Sequence, residues 1–232
     1  MNPVISRILN LFLVIHTISV CGGATYQGND HAGGEETLVS FDDPTNLPIW
    51  KEMNDPVMGG KSTGTFTVQE GIGLFEGKVV NVPFLHAPGF IQASTNGNFP
   101  NVNDCESLAI TCRGSTDYSG YKVSFGNRRG PLKCSFYSRG YKAPLNVTPN
   151  ANDFERIVIP FDEFSNCNSD ATGLPITRCE DDSSVCPDEK TLEDMKMITI
   201  WAEGIAGDVH LEIQRIEAIG CQKQDEEVET NV

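Results

Sequence analysis

The sequence predicts an all-β protein, an antiparallel β-sandwich of jelly-roll type with little helix. Apolar residues recur with period two in short runs from Leu38 onward. Turn signals built on Gly, Pro and Asn separate those runs. Only Asp188 to Met195 has a composition that suits a helix, and it is short. Many short strands with almost no helix fit two packed sheets.

Taken in order, Thr63 to Val68 is β-branched and alternating, which makes it a strand. Gln69-Glu70-Gly71 turns the chain toward Leu74-Phe75, Val79-Val80 and Phe90-Ile91. Leu108, Ile110 and Cys112 share one strand face, and Tyr121, Val123 and Phe125 share the next. Turns are expected at Gly126-Asn127 and Arg129-Gly130-Pro131, followed by a strand through Cys134 and Phe136. Ile157-Val158-Ile159 and then Ile198 and Ile200 continue the series. After a turn between Gly204 and Gly207, Val209, Leu211 and Ile213 alternate with His210, Glu212 and Gln214. There is no internal repeat.

The ends read differently. Arg7, an apolar run from Ile8 to Val20, and then Gly22, Gly23 and Ala24 have the layout of a secretory signal over residues 1–24. The run is too short to span a bilayer, which takes about 20 residues. A mitochondrial presequence, the alternative, would carry several arginines where this has one. Residues 25–37 read as a flexible leader, 38–221 as the domain and 222–232 as an acidic disordered tail. No other segment is apolar enough for a membrane span.

A net charge of −15 excludes bulk attraction to nucleic acid or anionic lipid. Tyr118 to Asn152 stands apart: it holds Lys122, Arg128, Arg129, Lys133, Arg139 and Lys142 and no acid. Tyr121, Phe125, Phe136, Tyr137 and Tyr141 lie among them. Arg and Tyr are enriched at interface hot spots, so Arg128, Arg129, Arg139 and Tyr141 are the candidate partner-binding residues. The competing account sends the aromatics to the core and leaves the basic residues solvated.

Seven cysteines remain once Cys21 leaves with the signal: Cys105, Cys112, Cys134, Cys167, Cys179, Cys186 and Cys221. An oxidising compartment would pair most of them, and the odd count leaves one free or bonded to another chain. Cys167, Cys179 and Cys186 lie in the irregular stretch Ser165 to Lys190, which needs a staple. No C-x-x-C or Cys–His spacing supports zinc, so no metal is expected. Asn146-Val147-Thr148 is a glycosylation sequon, followed by Pro149.

Catalytic signatures are thin. The chain carries no H-E-x-x-H or G-x-G-x-x-G. Gly59-Gly60-Lys61-Ser62 looks like the tail of a phosphate loop, but Asp55 stands where its first glycine belongs. A strand follows where a helix is needed. His86 and His210 read as surface histidines, and Asp42, Asp43, Asp162, Glu163, Glu203 and Asp208 fall at strand ends and loops. A glycosidase pair would meet only in space. The expectation is a non-enzyme without a cofactor.

Trp50 followed by "NDPVMGGKSTG", "GLFEGKVV" and "GFIQAST" resembles the NADH:ubiquinone oxidoreductase intermediate-associated protein family, also called complex I intermediate-associated protein 30. Its Asp-x-Val-Met-Gly-Gly-x-Ser core is met by Asp55, Val57, Met58, Gly59, Gly60 and Ser62. "LAITCRG", Tyr121, "FERIVIPFDEF" and "GDVHLEIQRIEAIG" extend the resemblance over Leu38 to Gly220. It implies a galactose-binding-like β-sandwich. It also implies a non-catalytic, chaperone-like assembly factor of mitochondrial complex I, binding protein partners and no cofactor. The secretory signal in place of a presequence diverts that role to the secretory pathway. A secreted carbohydrate-binding module is the alternative. The motif is expected to be structural. Gly59-Gly60 would turn the chain where a Cβ is forbidden, Trp50 would anchor the strand exit, and Asp55 and Ser62 would bond the turn's backbone.

Overall fold

A computed structural model describes residues 33–43, 47–55, 59–131, 134 and 139–222. Two antiparallel sheets face each other across one apolar core. The first contains β1 (Gly34–Ser40), β3 (Thr63–Gln69), β4 (Ile72–Val79), β8 (Ser107–Gly114), β11 (Glu155–Pro160) and β13 (Gly207–Cys221). Its order is β11-β8-β13-β4-β3, with β1 also paired to β13. The second runs β10 (Arg139–Pro144), β9 (Tyr121–Arg129), β12 (Met197–Glu203), β7 (Phe90–Asn96) and β2 (Trp50–Asn54). A small ribbon of β5 (Asn81–Val82) and β6 (Ala87–Pro88) precedes β7. The β-sandwich expected from the alternation is the fold observed.

The strand patterns explain themselves through the register. Leu108, Ile110 and Cys112 on β8 lie in the core with Leu211, Ile213 and Ile216 on β13. The apolar phase of β13 changes from odd to even positions after Ile213. A register shift between Ile213 and Arg215 absorbs that change, because one extra residue returns the apolar side chains to the core. Glu70 and Gly71, with φ of 51° and 77°, make the two-residue turn joining β3 to β4. Aromatic rings fill one end of the core, where Trp50 stacks on Phe66 with centroids 4.2 Å apart.

Four expectations need correction. The domain does not begin at Leu38: β1 starts at Gly34, and Glu35 to Thr37 pair with Ile219 to Glu217. Pairing there uses backbone groups, so polar side chains gave no sign of it. Gly126-Asn127 is not a turn, because β9 continues to Arg129. Gly126 at φ 69° and Gly140 at φ 79° instead sit in the irregular stretch where β9 and β10 shift register. Cys134 is in a turn rather than a strand, while Phe136 lies outside the described residues. The helical stretch shrinks to α1 (Glu189–Glu193), whose N-cap Asp188 accepts from Thr191 N–H at 2.8 Å.

Candidate functional site

The strand that leads into the glycine motif joins the open edges of the two sheets. On β2, Glu52 Oε1 accepts from Phe66 N–H at 2.9 Å, and Asn54 Oδ1 accepts from Gly64 N–H at 2.8 Å. Both donors lie on β3 of the opposite sheet. Asp55 follows; its N–H donates to Phe90 O at 3.1 Å, and its side chain is buried. A Cβ on Gly60 or on Gly89 would overlap the Asp55 carboxyl. Gly60 therefore makes room for a carboxylate, and only Gly59, at φ 79°, occupies the left-handed region. Ser62 differs from expectation as well. Its hydroxyl accepts from Val80 N–H at 3.0 Å, outside the turn. Lys61 is exposed, and β3 follows directly, so no helix terminus faces a phosphate. Val57 and Met58 lie outside the described residues.

The basic segment divides in two. Arg129 and Arg139 face each other in register, and Arg128 is exposed beside them. Arg128 is ion-paired with Asp188, so an acid from α1's cap answers a run that holds none itself. Tyr141 does not join this edge. It is 1% exposed and packs on Phe125, so its candidacy as a surface contact is corrected. Alternation sends it inward with Tyr121 and Phe125. Lys133 and Tyr137 lie outside the described residues.

Lys122 and Lys142, the other basic residues, are not solvated. They occupy the outer face of the five-stranded sheet with Ser124, Thr199, Trp201, Glu203, Gln92 and Ser94. Lys142 Nζ lies 2.6 Å from Glu203 Oε1 and 3.7 Å from the centre of the Trp201 ring. Trp201 Nε1 donates to Ser124 Oγ at 2.8 Å. The disulfide-bearing segment after β11 covers this cluster: Ser165 pairs its backbone with Lys142, and Gly173 sits against Glu203 and Lys122. Burial lowers the Lys122 pKa; Glu203 partly opposes that, and Lys142 reinforces it. The sequence carried half of this signal. Lys122 and Ser124 alternate with three core residues, but nothing local marks what lies over them.

Cys105–Cys221, Cys134–Cys167 and Cys179–Cys186 are disulfides. Among the described residues the free thiol is Cys112, buried in the core, with its pKa raised to about 12 by burial and secondarily by Glu155. Three disulfides fit an oxidising environment. Asn146 is exposed, while the Thr148 hydroxyl of its sequon donates to Glu155 Oε2 at 2.9 Å. Among the described residues no helix is long and apolar enough to cross a membrane, and no group of three or more His, Cys, Asp or Glu could hold a metal ion.

The model of the family "Complex I intermediate-associated protein 30" matches residues 39–174, from β1 into the segment that covers Lys142. The chain belongs to this family. Among curated proteins no sequence matches it. Of solved structures, it resembles the family 11 carbohydrate-binding module of a cellulosomal cellulase of Clostridium thermocellum. Identity is 14% and the TM-score 0.54, over 84% of this chain and 99% of that one. The Clostridium thermocellum module in complex with a β-1,3-1,4-mixed-linked tetrasaccharide gives 14% and 0.53, over 83% and 98%. At that identity the likeness is one of fold.

Proposed function

We propose that this family member is a non-catalytic partner-capture module, acting in the secretory pathway, that grips an acidic segment of a protein through Arg128, Arg129 and Arg139. Family membership supports the assembly-factor role, since the family is named for association with intermediates of complex I. The observation that carries the site is the in-register pairing of Arg129 with Arg139. Three guanidinium groups at one strand end suit the carboxylates of an acidic segment, and the −15 chain around them repels that segment elsewhere and steers it to this edge. The glycine motif houses the buried Asp55 carboxyl beside the joined sandwich edges and takes no part in binding.

The test is Arg129→Glu with Arg139→Glu, first shown by its melt to be folded. Wild type should bind a poly-glutamate peptide with affinity that falls steeply with salt, and should recover acidic proteins from native extract. The variant should do neither. Unchanged peptide binding in the variant would remove this edge from the function. Removal of residues 1–24 and glycosylation of Asn146 belong to the same reading. N-terminal sequencing and glycosidase treatment of the native protein test them, and an intact Met1 contradicts secretion.

A further inference from the structure

The outer face of the five-stranded sheet holds a polar group that the fold leaves without a proper partner. Gln92 on β7 is 9% exposed, and among the described residues its Oε1 has no hydrogen-bond partner. Its Nε2 reaches only the Met53 sulfur, at 3.5 Å. Whichever way the amide is turned, a thioether is its best neighbour. A buried amide in that condition is rare, because folding has removed water from it without replacing the bonds.

The surroundings suit a ligand. Gln92 lies directly opposite Trp201 on β12 and Met53 on β2, in one row across three strands. Phe90, two residues earlier on the same face, sets its ring 5.9 Å from that of Trp201 at an interplanar angle of 53°. Both rings remain partly exposed. The next row is hydroxylic, with Ser94 and Thr199 bonded to each other at 2.9 Å. Of the nearby charges, Lys142 is held by Glu203 beneath the segment around Gly173, while Lys51, directly opposite Ser94 on β2, is exposed.

We infer that this row is a binding site for a neutral oligosaccharide. A sugar ring presents C–H faces and hydroxyls together. The C–H faces lie against Trp201 and Phe90, and a hydroxyl, which both donates and accepts, completes the Gln92 amide. The row spans two strand spacings, about 10 Å, so an extended chain crosses it better than a single ring does. Acidic sugars are disfavoured by a net charge of −15, which outweighs the one exposed cation beside the row, Lys51 opposite Ser94. The site lies on strands β12, β7 and β2, and it stands or falls independently of the arginine edge.

The experiment is calorimetric titration of the full mature chain. The panel is cello-, manno- and galacto-oligosaccharides with a mixed-linked β-glucan tetrasaccharide. Wild type should bind at least one member saturably at millimolar or lower concentration. Trp201→Ala should lose that binding, but it also removes packing over Lys142. Gln92→Leu is therefore the deciding variant: it keeps the shape and removes the unpartnered amide. It should melt at the same temperature as wild type or higher, and bind at least about tenfold more weakly. No saturable binding to any sugar in the panel overturns the inference. So does a Gln92→Leu variant that binds as wild type does.

Discussion

Lys142 on β10 and Glu203 on β12 form a 2.6 Å ion pair that reaches over the intervening strand β9, beneath a segment that belongs to neither sheet. A third charge, Lys122, lies on that intervening strand, with its Nζ 3.3 Å from the Glu203 carbonyl oxygen. Two ammonium groups thus stand in the field of one buried carboxylate, which bonds Lys142 directly. Removing charges one at a time has unequal consequences. Glu203→Gln leaves two cations unanswered and should cost about 3–5 kcal/mol. Lys142→Met leaves Lys122 to answer Glu203 and should cost less. Lys122→Met leaves a neutral pair and should be the mildest. Denaturant unfolding measures the order, and a Lys122→Met loss as large as that of Glu203→Gln would contradict the charge balance.

The same lysine gives a pH signature. Its folded pKa lies below the ordinary 10.5, so the folded state holds this proton less tightly than the unfolded chain. Below the lowered pKa the penalty for burying the cation is paid in full. As pH rises through the lowered pKa toward 10.5, the folded protein releases the proton first and gains stability relative to the unfolded. Wild type should therefore become more stable relative to Lys122→Met as pH rises through that window. Parallel melts across alkaline pH check it. A difference that stays constant or moves the other way rules the shift out.

The sandwich was legible because alternation reports which side chains face inward. That signal is strong in β8, in β9 from Tyr121 to Phe125, and in β13 from Val209 to Ile213, where apolar residues occupy every second position. It fails where pairing is carried by backbone alone, as in Glu35 to Thr37. It fails again at Gly126, where a glycine permits a bulge as readily as a turn. The candidate sites were legible only in part. Arg128, Arg129 and Arg139 do fall at one strand end, but Tyr141 belongs to the core. Lys122 and Lys142 are buried by a segment that follows Lys142 by some twenty residues and more, and no local pattern announces such a cover. Gln92 is a polar residue in an outward position, like many others. Only the missing partner distinguishes it.

The two motif glycines should respond differently to substitution. Gly59 has open space where a Cβ would go and φ of 79°, which Asn tolerates better than most residues. Gly59→Asn should therefore be mild. Gly60→Ala drives a methyl into the buried Asp55 carboxyl and should cost about 1–3 kcal/mol. Lys61→Ala, at an exposed position, should be nearly silent. Equal melts for Gly60→Ala and Gly59→Asn would show that the carboxyl can move aside. Nucleotide-dependent stabilisation lost in Lys61→Ala would restore a phosphate loop.

Cys112 offers an internal reporter on what the disulfides hold. Alkylation requires the thiolate, and this thiol is both buried and shifted to about 12, so it should resist reagent until the sandwich opens. The reaction rate then follows the open population. Cys105–Cys221 joins residues 116 apart and ties the end of β13 to the loop before β8, the strand that carries Cys112. Chain-entropy arguments give a loop of that size about 5 kcal/mol. Cys179–Cys186 joins residues only 7 apart, which is worth about 2 kcal/mol by the same argument. Replacing Cys105 and Cys221 by Ala should therefore speed Cys112 alkylation in native buffer on the order of a thousandfold. Replacing Cys179 and Cys186 should speed it far less. Mass spectrometry of timed reactions reads both. Prompt labelling of Cys112 in the wild-type protein would place it outside the core. Equal rates in the two variants would show that loop length does not govern what these bridges contribute.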